Sequence, residues 1–328
     1  APVAGFSQTV LPASRHAELA NLAMKHAVVE RDVAHLIFPD EVQTLPAGES
    51  DEAGRPEGRV SGAEIRPSQA DVDSAVSMLT GASRPIIVAG YGARDAMPQV
   101  VALAERLKAP VLTTFKAKGQ IGDDHPLAAG VLGRSGTPVA SWFMNECDLI
   151  LVFGASFSNH TGITPKKPTI QVDFDRMTLG RFHGVDLPVW GEIGVTAATL
   201  LDALQPGAVA SDQREELAER RQIWREEKAK RASRDRGRGI NAAAIFSILS
   251  DVVPEDAIIT VDVGNNPYSF GRYFECRRQR VLMSGYLGSI GFALPAALGA
   301  WAATAAVDTW RGRQVVAVSG DGGFGQYM

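Results

Sequence analysis

Three short segments in the last quarter of the chain combine glycines with side chains that can bind ions. They are Asp262-Val263-Gly264-Asn265-Asn266, the glycine-rich run 284–291, and Ser319-Gly320-Asp321-Gly322-Gly323. Glycine lets backbone N–H groups approach phosphate oxygens closely, and Mg²⁺ prefers one or two carboxylates plus phosphate oxygens. The residues therefore predict a diphosphate that a divalent metal links to the protein, with Asp321 as the metal ligand.

Each of these segments follows an apolar run that is typical of a buried strand. The runs are 258–261, 281–283 and 314–318. In an open parallel sheet, ligands bind outside the carboxyl ends of the strands, where helix N-termini present free N–H groups. We therefore expect the three segments to meet at one sheet edge. The alternative that the residues leave open is three tight glycine turns without a ligand.

A second α/β region precedes these segments. Apolar runs at 85–89, 111–114, 148–153 and 169–172 alternate with helical patterns, which predicts a doubly wound parallel sheet covered on both faces. The composition further predicts a helix and then a strand within 1–46, an exposed linker at 47–66, the central domain at 67–207, a charged helical linker at 208–239, and the last domain at 240–328.

The charged linker favours a helix on the surface. Glu216 with Arg220, and Glu227 with Arg231, have the spacing of helical ion pairs. Its basic end lacks the aromatic residues that stack on bases, and the net charge of the chain is −4, so we expect no nucleic-acid partner.

The run 290–307 carries no charge, but its alanine and glycine content and Pro295 predict a buried helix rather than a membrane span. The two cysteines, Cys147 and Cys276, have no framework spacing. They suit a reducing compartment, and we expect a cytoplasmic location.

Three strings carry a resemblance to a known family, namely 261–264, 288–300 and 318–324. They resemble the thiamine-diphosphate enzymes of the acetolactate synthase and pyruvate oxidase group, and the resemblance extends over nearly the whole chain. It implies an α/β fold with a central doubly wound parallel-sheet domain plus a truncated thiamine-diphosphate-binding α/β domain. Residues 1–46 would be the C-terminal remnant of the pyrimidine-binding domain, which the segment 38–43 would close as a strand.

The resemblance implies roles for individual residues. Asp321 would bind Mg²⁺, and the loop that holds the aminopyrimidine would place Ile290 under the bent cofactor. The residues implied along the cofactor are Gly264, Asn265, Asn266, Gly288, Ser289, Ile290, Gly320, Gly322 and Gly323. The implied reaction is decarboxylation of a small 2-keto acid, followed by oxidation or transfer of what remains.

The turn Gly90-Tyr91-Gly92 is by itself a poor match to a dinucleotide motif, because no third glycine and no acidic residue follow at the expected places. The resemblance implies FAD, or a degenerate or different nucleotide, in the central domain. The candidate contacts are Gly90, Gly92, Thr113, Lys116, Gly154 and Asp173 or Asp175. Asp173 could instead cap the helix that follows it.

The family's activating glutamate is expected N-terminal to residue 1, and the rest of its metal site beyond Met328. We therefore expect no catalytic residue in this chain and no activity from this chain alone. The family builds its site between subunits, which implies a homodimer or homotetramer. The alternative hypothesis is a catalytically silent fragment or paralogue that keeps nucleotide binding or an oligomer interface.

Overall fold

The computed structural model describes residues 4–46, 58–62, 64–207, 211–235, 237–285 and 287–328. The chain divides into two compact units, Ala1–Glu64 and Ile65–Met328. Most of the predicted linker at 47–66 lies outside the described residues. No helix among those residues is both long and apolar enough to span a bilayer.

The first unit contains strand β1 (Phe6–Thr9), helix α1 (His16–Val29), strand β2 (Ala34–Ile37) and a short helix α2 (Asp40–Gln43). The two strands pair in parallel. The predicted helix and strand are present, but the expectation that 38–43 forms a strand is wrong. Strand β2 ends at Ile37, and Pro39, which has no N–H for a strand ladder, precedes one helical turn.

The central part of the second unit confirms the doubly wound sheet. In chain order its elements are α3 (Gln69–Gly81), β3 (Pro85–Ala89), α4 (Met97–Leu107), β4 (Val111–Thr113), β5 (Ala128–Val131), α5 (Pro138–Glu146), β6 (Leu149–Phe153), β7 (Thr169–Asp173), β8 (Leu187–Trp190) and α6 (Ile193–Ala203). The described strands pair in the order β5-β4-β3-β6-β7-β8, all parallel. The first strand of this sheet, β3, lies at its centre. Strands β4 and β5 are added on one side of β3, and β6, β7 and β8 on the other, so the topological switch point lies between β3 and β6.

Both faces of this sheet are covered, which is why its central strands are apolar throughout. Ile87 and Ala89 pack with α3, α4 and α6, whereas Ile86 and Val88 pack on the opposite side with α5. Helix α7 (Arg214–Ala232) also packs on that opposite side.

Helix α7 is more deeply packed than its charged sequence predicts, because Leu217 and Trp224 are buried against the central domain. The predicted Glu227–Arg231 pair forms at 2.8 Å. The predicted Glu216–Arg220 pair does not form. Glu216 instead pairs with Arg84 at 2.7 Å and accepts a hydrogen bond from the indole N–H of Trp142. Arg220 stacks on the same Trp142 ring.

The last part of the second unit contains α8 (Ala242–Val252), β9 (Ile258–Val261), α9 (Asn265–Tyr273), β10 (Arg280–Met283), α10 (Ala293–Ala306), β11 (Val315–Val318) and α11 (Asp321–Phe324). The described strands pair in parallel in the order β10-β9-β11, and Val261 lies opposite both Met283 and Val318. The three glycine-containing segments therefore follow strand ends at one sheet edge.

The charge-free segment forms α10, but the expectation of a buried helix is only partly met. Ala293 and Ala300 are buried, whereas Leu298 and Trp301 are 59% and 67% exposed.

Candidate cofactor site

The three glycine-containing segments are joined by the carboxylate of Asp262, which is only 1% exposed. Its Oδ1 accepts from the backbone N–H groups of Val263 at 2.7 Å and Gly291 at 2.8 Å. Its Oδ2 accepts from the backbone N–H of Ala293 at 3.3 Å and from the Ser319 hydroxyl at 2.9 Å. One side chain thus fixes the turn after β9, the loop before α10 and the end of β11.

Asp262 is held as a carboxylate by these donors. Burial opposes its ionisation, but the hydrogen bonds from Val263, Ser319, Gly291 and Ala293 outweigh burial, and the pKa of Asp262 lies below its usual range. The first turn of α10 adds a favourable helix dipole. Because its oxygens are used within the protein, Asp262 acts as a positioning residue. The sequence pattern predicted no individual role for Asp262. Its position, an acidic residue directly after the central strand β9, is the feature that could have indicated one.

The glycines of the Gly320-Asp321-Gly322-Gly323 turn serve two different purposes. A Cβ on Gly323 would lie 2.5 Å from Oδ2 of Asp262, so glycine is needed there for the close approach of α11. Gly322 has no atom within 4 Å of a built Cβ, and Gly320 has only the Asn266 side-chain nitrogen at 3.3 Å. Gly320 and Gly322 therefore border open space that a ligand can approach, and Gly323 does not.

The turn after β9 faces the same open space. Gly264 has φ of +126°, a conformation that favours glycine, and no atom lies within 4 Å of a built Cβ. It precedes helix α9, in which Asn265 is exposed and Asn266 is close to Gly320. The first N–H groups of α9 have no intrahelical partners and suit an anion. This open, glycine-lined edge fits a diphosphate group.

Asp321 begins α11 and is exposed at this edge. Within the described residues, no group of three His, Cys, Asp or Glu side chains is close enough to hold a metal ion. The donor set therefore fits a Mg²⁺ that takes one carboxylate from this segment and phosphate oxygens from a ligand, rather than a site made wholly of protein.

The loop before α10 is anchored at both ends. The Ser289 N–H donates to the Ser284 hydroxyl at 3.1 Å, and Gly291 donates to Asp262. Between these anchors Ile290 is 58% exposed. An exposed apolar side chain next to the Gly291 anchor leaves its contact to a cofactor a prediction.

A cavity of about 470 Å³ lies between the carboxyl ends of the central and last sheets. Tyr91 and Gly154 line it from beyond β3 and β6, which is where the strand order reverses and where ligands bind in doubly wound sheets. Of the predicted cofactor residues, four line the cavity: Lys116, Gly154, Gly264 and Gly288. The other predicted residues lie outside its described lining: Gly90, Gly92, Thr113, Asp173, Asp175, Asn265, Asn266, Ser289, Ile290, Gly320, Asp321, Gly322 and Gly323.

The central-domain glycines have a structural explanation. The N–H groups of Gly90 and Gly92 donate to the carbonyls of Phe153 and Gly154, at 2.8 and 3.0 Å, and Gly154 donates to Val172 at 3.1 Å. A Cβ on Gly90 would overlap the carbonyl oxygen of Gly154. These glycines let the ends of β3 and β6 pack closely, and their N–H groups are already engaged.

The remaining central-domain candidates are similarly placed. Thr113 is buried, and Asp173 accepts from the backbone N–H of Asp175 at 2.9 Å. The segment after Asp173 forms turns rather than the helix that Asp173 was expected to cap, because the chain there returns directly to strand β8.

An ion pair with a buried lysine lies at the junction between the central domain and the segment before β10. Lys118, 5% exposed, lies 3.2 Å from Oδ2 of Asp123, and that oxygen also accepts from the Cys276 N–H at 2.7 Å. Burial lowers the pKa of Lys118, but Asp123 and Glu275 favour its charged form, and the net pKa is raised. Asp123 thus joins the central domain to the segment before β10.

Comparison with known proteins agrees with this architecture. Residues 72–202 match the family described as thiamine pyrophosphate enzyme, central domain, and residues 262–328 match thiamine pyrophosphate enzyme, C-terminal TPP binding domain. The chain belongs to the thiamine pyrophosphate enzymes. Within that family its place is in the acetolactate synthase and pyruvate oxidase group.

Three relatives illustrate the similarity. The chain is 32% identical over 268 residues to a probable acetolactate synthase large subunit of Methanocaldococcus jannaschii, covering 77% of this chain and 44% of the relative. It is 31% identical over 271 residues to acetolactate synthase isozyme 2 large subunit of Escherichia coli, covering 80% and 46%. It is 32% identical over 290 residues to sulfoacetaldehyde acetyltransferase of Rhodobacter capsulatus, covering 79% and 48%. The chain thus spans less than half the length of these relatives.

Proposed function

We propose that this protein binds thiamine diphosphate with Mg²⁺ and takes part in decarboxylation of a 2-keto acid and transfer or oxidation of the fragment that remains. The observation that carries the proposal is the set of hydrogen bonds through which Asp262 joins the three glycine-containing segments at one sheet edge, beside a cavity of about 470 Å³. Names among the relatives, acetolactate synthase and an acetyltransferase, support transfer over oxidation.

In this proposal the chain positions the cofactor. Asp321 would hold the metal, the first N–H groups of α9 and the turn at Gly320 and Gly322 would hold the diphosphate, and Ile290 would contact the cofactor. When bound, thiamine diphosphate would supply the electron sink that accepts the electron pair released as CO₂ leaves. The residues of this chain would hold and orient the group.

The proposal for this chain by itself is binding rather than turnover. The resemblance requires an activating glutamate, and none of the described residues that line the cavity is a glutamate. We therefore expect a cofactor-binding chain without activity of its own. If the chain binds thiamine diphosphate but shows no turnover even after a polypeptide that carries the activating glutamate is added, the result would favour the silent-paralogue alternative.

The test is a calorimetric titration with thiamine diphosphate, with and without Mg²⁺. We expect saturable binding that requires the metal, and a loss of about tenfold or more in Asp321→Ala, as for a charge-assisted contact. Asp308→Ala is the control, because Asp308 is a highly exposed aspartate of the same domain. Absence of binding with Mg²⁺ present, or equal binding by Asp321→Ala, would overturn the proposal.

FAD or another nucleotide in the central domain is a further part of the proposal. The cavity at the switch point supports it, whereas the engaged N–H groups of Gly90, Gly92 and Gly154 do not contribute to it. Reconstitution with FAD should give a yellow protein; a colourless preparation would rule out the flavin.

A homodimer or homotetramer is proposed on the resemblance alone. A cytoplasmic location is supported by two buried thiols that form no disulfide.

A further inference from the structure

The cavity between the two sheets has an uneven charge. Among its described lining residues, Lys116 is the one lysine or arginine and Asp262 is the one carboxylate. Both oxygens of Asp262 already accept two hydrogen bonds each, so this carboxylate is not available to neutralise a lysine. The rest of the lining is largely neutral and includes the hydroxyl groups of Ser156, Ser158 and Thr161.

Lys116 is held in place without being neutralised. Its aliphatic stem packs on Gly285, where a built Cβ would lie 3.0 Å from Cβ of Lys116. Its Nζ lies 4.5 Å from the centroid of the Tyr91 ring, a cation–π contact. Within the part of the chain that the structure describes, Lys116 forms no ion pair.

A second cation strengthens the positive potential at this wall. The Arg94 guanidinium lies 4.7 Å from the same Tyr91 ring, and its partner Asp95 is 86% exposed. The Lys116 backbone is also fixed, because the buried pair of Lys118 and Asp123 follows two residues later. A pre-positioned ammonium that lacks an anionic partner, in a cavity of about 470 Å³, is the arrangement expected of an anion-binding pocket.

We infer that Lys116 binds an oxyanion, a carboxylate or a phosphate group, of a small ligand that occupies this cavity. The inference rests on the proposed function for the choice of ligands. The carboxylate source is a 2-keto acid, and the phosphate source is a nucleotide. Tyr91 and Gly285 position the ammonium, and the neighbouring hydroxyl groups bind the remaining polar atoms of the ligand.

The experiment measures binding of pyruvate and of ADP to the full chain by calorimetry, without thiamine diphosphate or Mg²⁺. Pyruvamide and adenosine are the uncharged counterparts of the two anions. The variants are Lys116→Met, which keeps an unbranched stem, and Lys116→Arg, which restores the charge. Lys166→Met is the control, since Lys166 is exposed in the same domain and lies outside the described cavity lining.

We expect at least one anion to bind the wild-type chain more tightly than its uncharged counterpart. Lys116→Met should weaken that binding by about 10- to 100-fold, while Lys116→Arg recovers most of it and Lys166→Met leaves it unchanged. Loss confined to pyruvate identifies a carboxylate, and loss confined to ADP identifies a phosphate. Binding to the wild-type chain should also weaken as salt increases, which tests the charge without any substitution.

Two results would overturn the inference: equal binding of both anions by wild type and Lys116→Met, or no binding of either anion by the wild-type chain. This outcome is separable from the proposed function. A chain that binds thiamine diphosphate with Mg²⁺ but fails these tests refutes only the role of Lys116. A chain that binds the anion through Lys116 but not thiamine diphosphate refutes only the proposed cofactor.

Discussion

Replacing Asp262 by asparagine should loosen all three strand ends together. The Asn carbonyl can keep two N–H donors, but its NH₂ group then faces the Ala293 N–H, and the Ser319 hydroxyl must turn to accept. The hydrogen bonds that remain are no longer made to a charged acceptor, and the Ala293 N–H loses its acceptor. Removal of a buried charge offsets part of this cost, and the net loss is about 2–3 kcal/mol.

Hydrogen exchange measured by mass spectrometry reports this loss locally. Peptides that cover 258–264, 287–300 and 315–323 should exchange about 30- to 150-fold faster in Asp262→Asn, which corresponds to that free energy. Peptides from β3 and β6 of the central sheet should be unchanged. Asp251→Asn, at an exposed position of the same domain, is the matched control. Equal exchange of the three segments in Asp262→Asn and wild type would refute the assigned role of Asp262.

The pH dependence follows from the lowered pKa of Asp262. Its stabilising effect is fully present above the unfolded-state pKa of about 3.9 and is lost as the pH falls through the lower folded-state pKa. The difference in unfolding free energy between wild type and Asp262→Asn should therefore be constant between pH 7 and 5 and shrink below about pH 4. A difference that persists unchanged in strong acid would contradict a charged Asp262.

Two further substitutions test the packing around these segments. Gly323→Ala would place a Cβ 2.5 Å from Asp262 and should lower the free energy of unfolding by about 1–3 kcal/mol. Gly322→Ala should leave the stability unchanged and weaken only the binding of thiamine diphosphate. Similar midpoints of urea unfolding for the two variants would refute this distinction. Glu216→Gln breaks the pair with Arg84 and should cost about 1 kcal/mol in thermal unfolding, and an unchanged midpoint would show that this pair is not stabilising.

Uniform apolar runs made most of the central sheet predictable. Strands β3 and β6 are buried at every position, so five consecutive apolar residues identify each of them. Strands β5 and β8 were not predicted, because Gly130 and Pro188 interrupt short runs that resemble loops. Such strands form because neighbouring strands supply hydrogen bonds and bury their side chains. A local sequence pattern contains no information about these neighbours.

The partners of charged side chains were harder to predict than the strands. The i,i+4 spacing correctly indicated Glu227 with Arg231, which are more exposed than Glu216, but failed for Glu216. Helix packing brings Arg84, 132 residues away, within reach of Glu216. The spacing rule holds where a carboxylate meets no basic side chain of another element and fails where such a side chain competes for it.

The sequence by itself determined the class of protein and the sheet edge at which its proposed site lies. The glycine-rich strings and the parallel strands before them are local features, and parallel strands must end at the same sheet edge. Only the tertiary structure decided which residues do which work there. It made Asp262 the anchor of the three turns, assigned Gly323 to packing while leaving Gly322 open, and placed Lys116 against Gly285 at the wall of the cavity. These roles depend on distances between residues far apart in the chain, which no local pattern specifies.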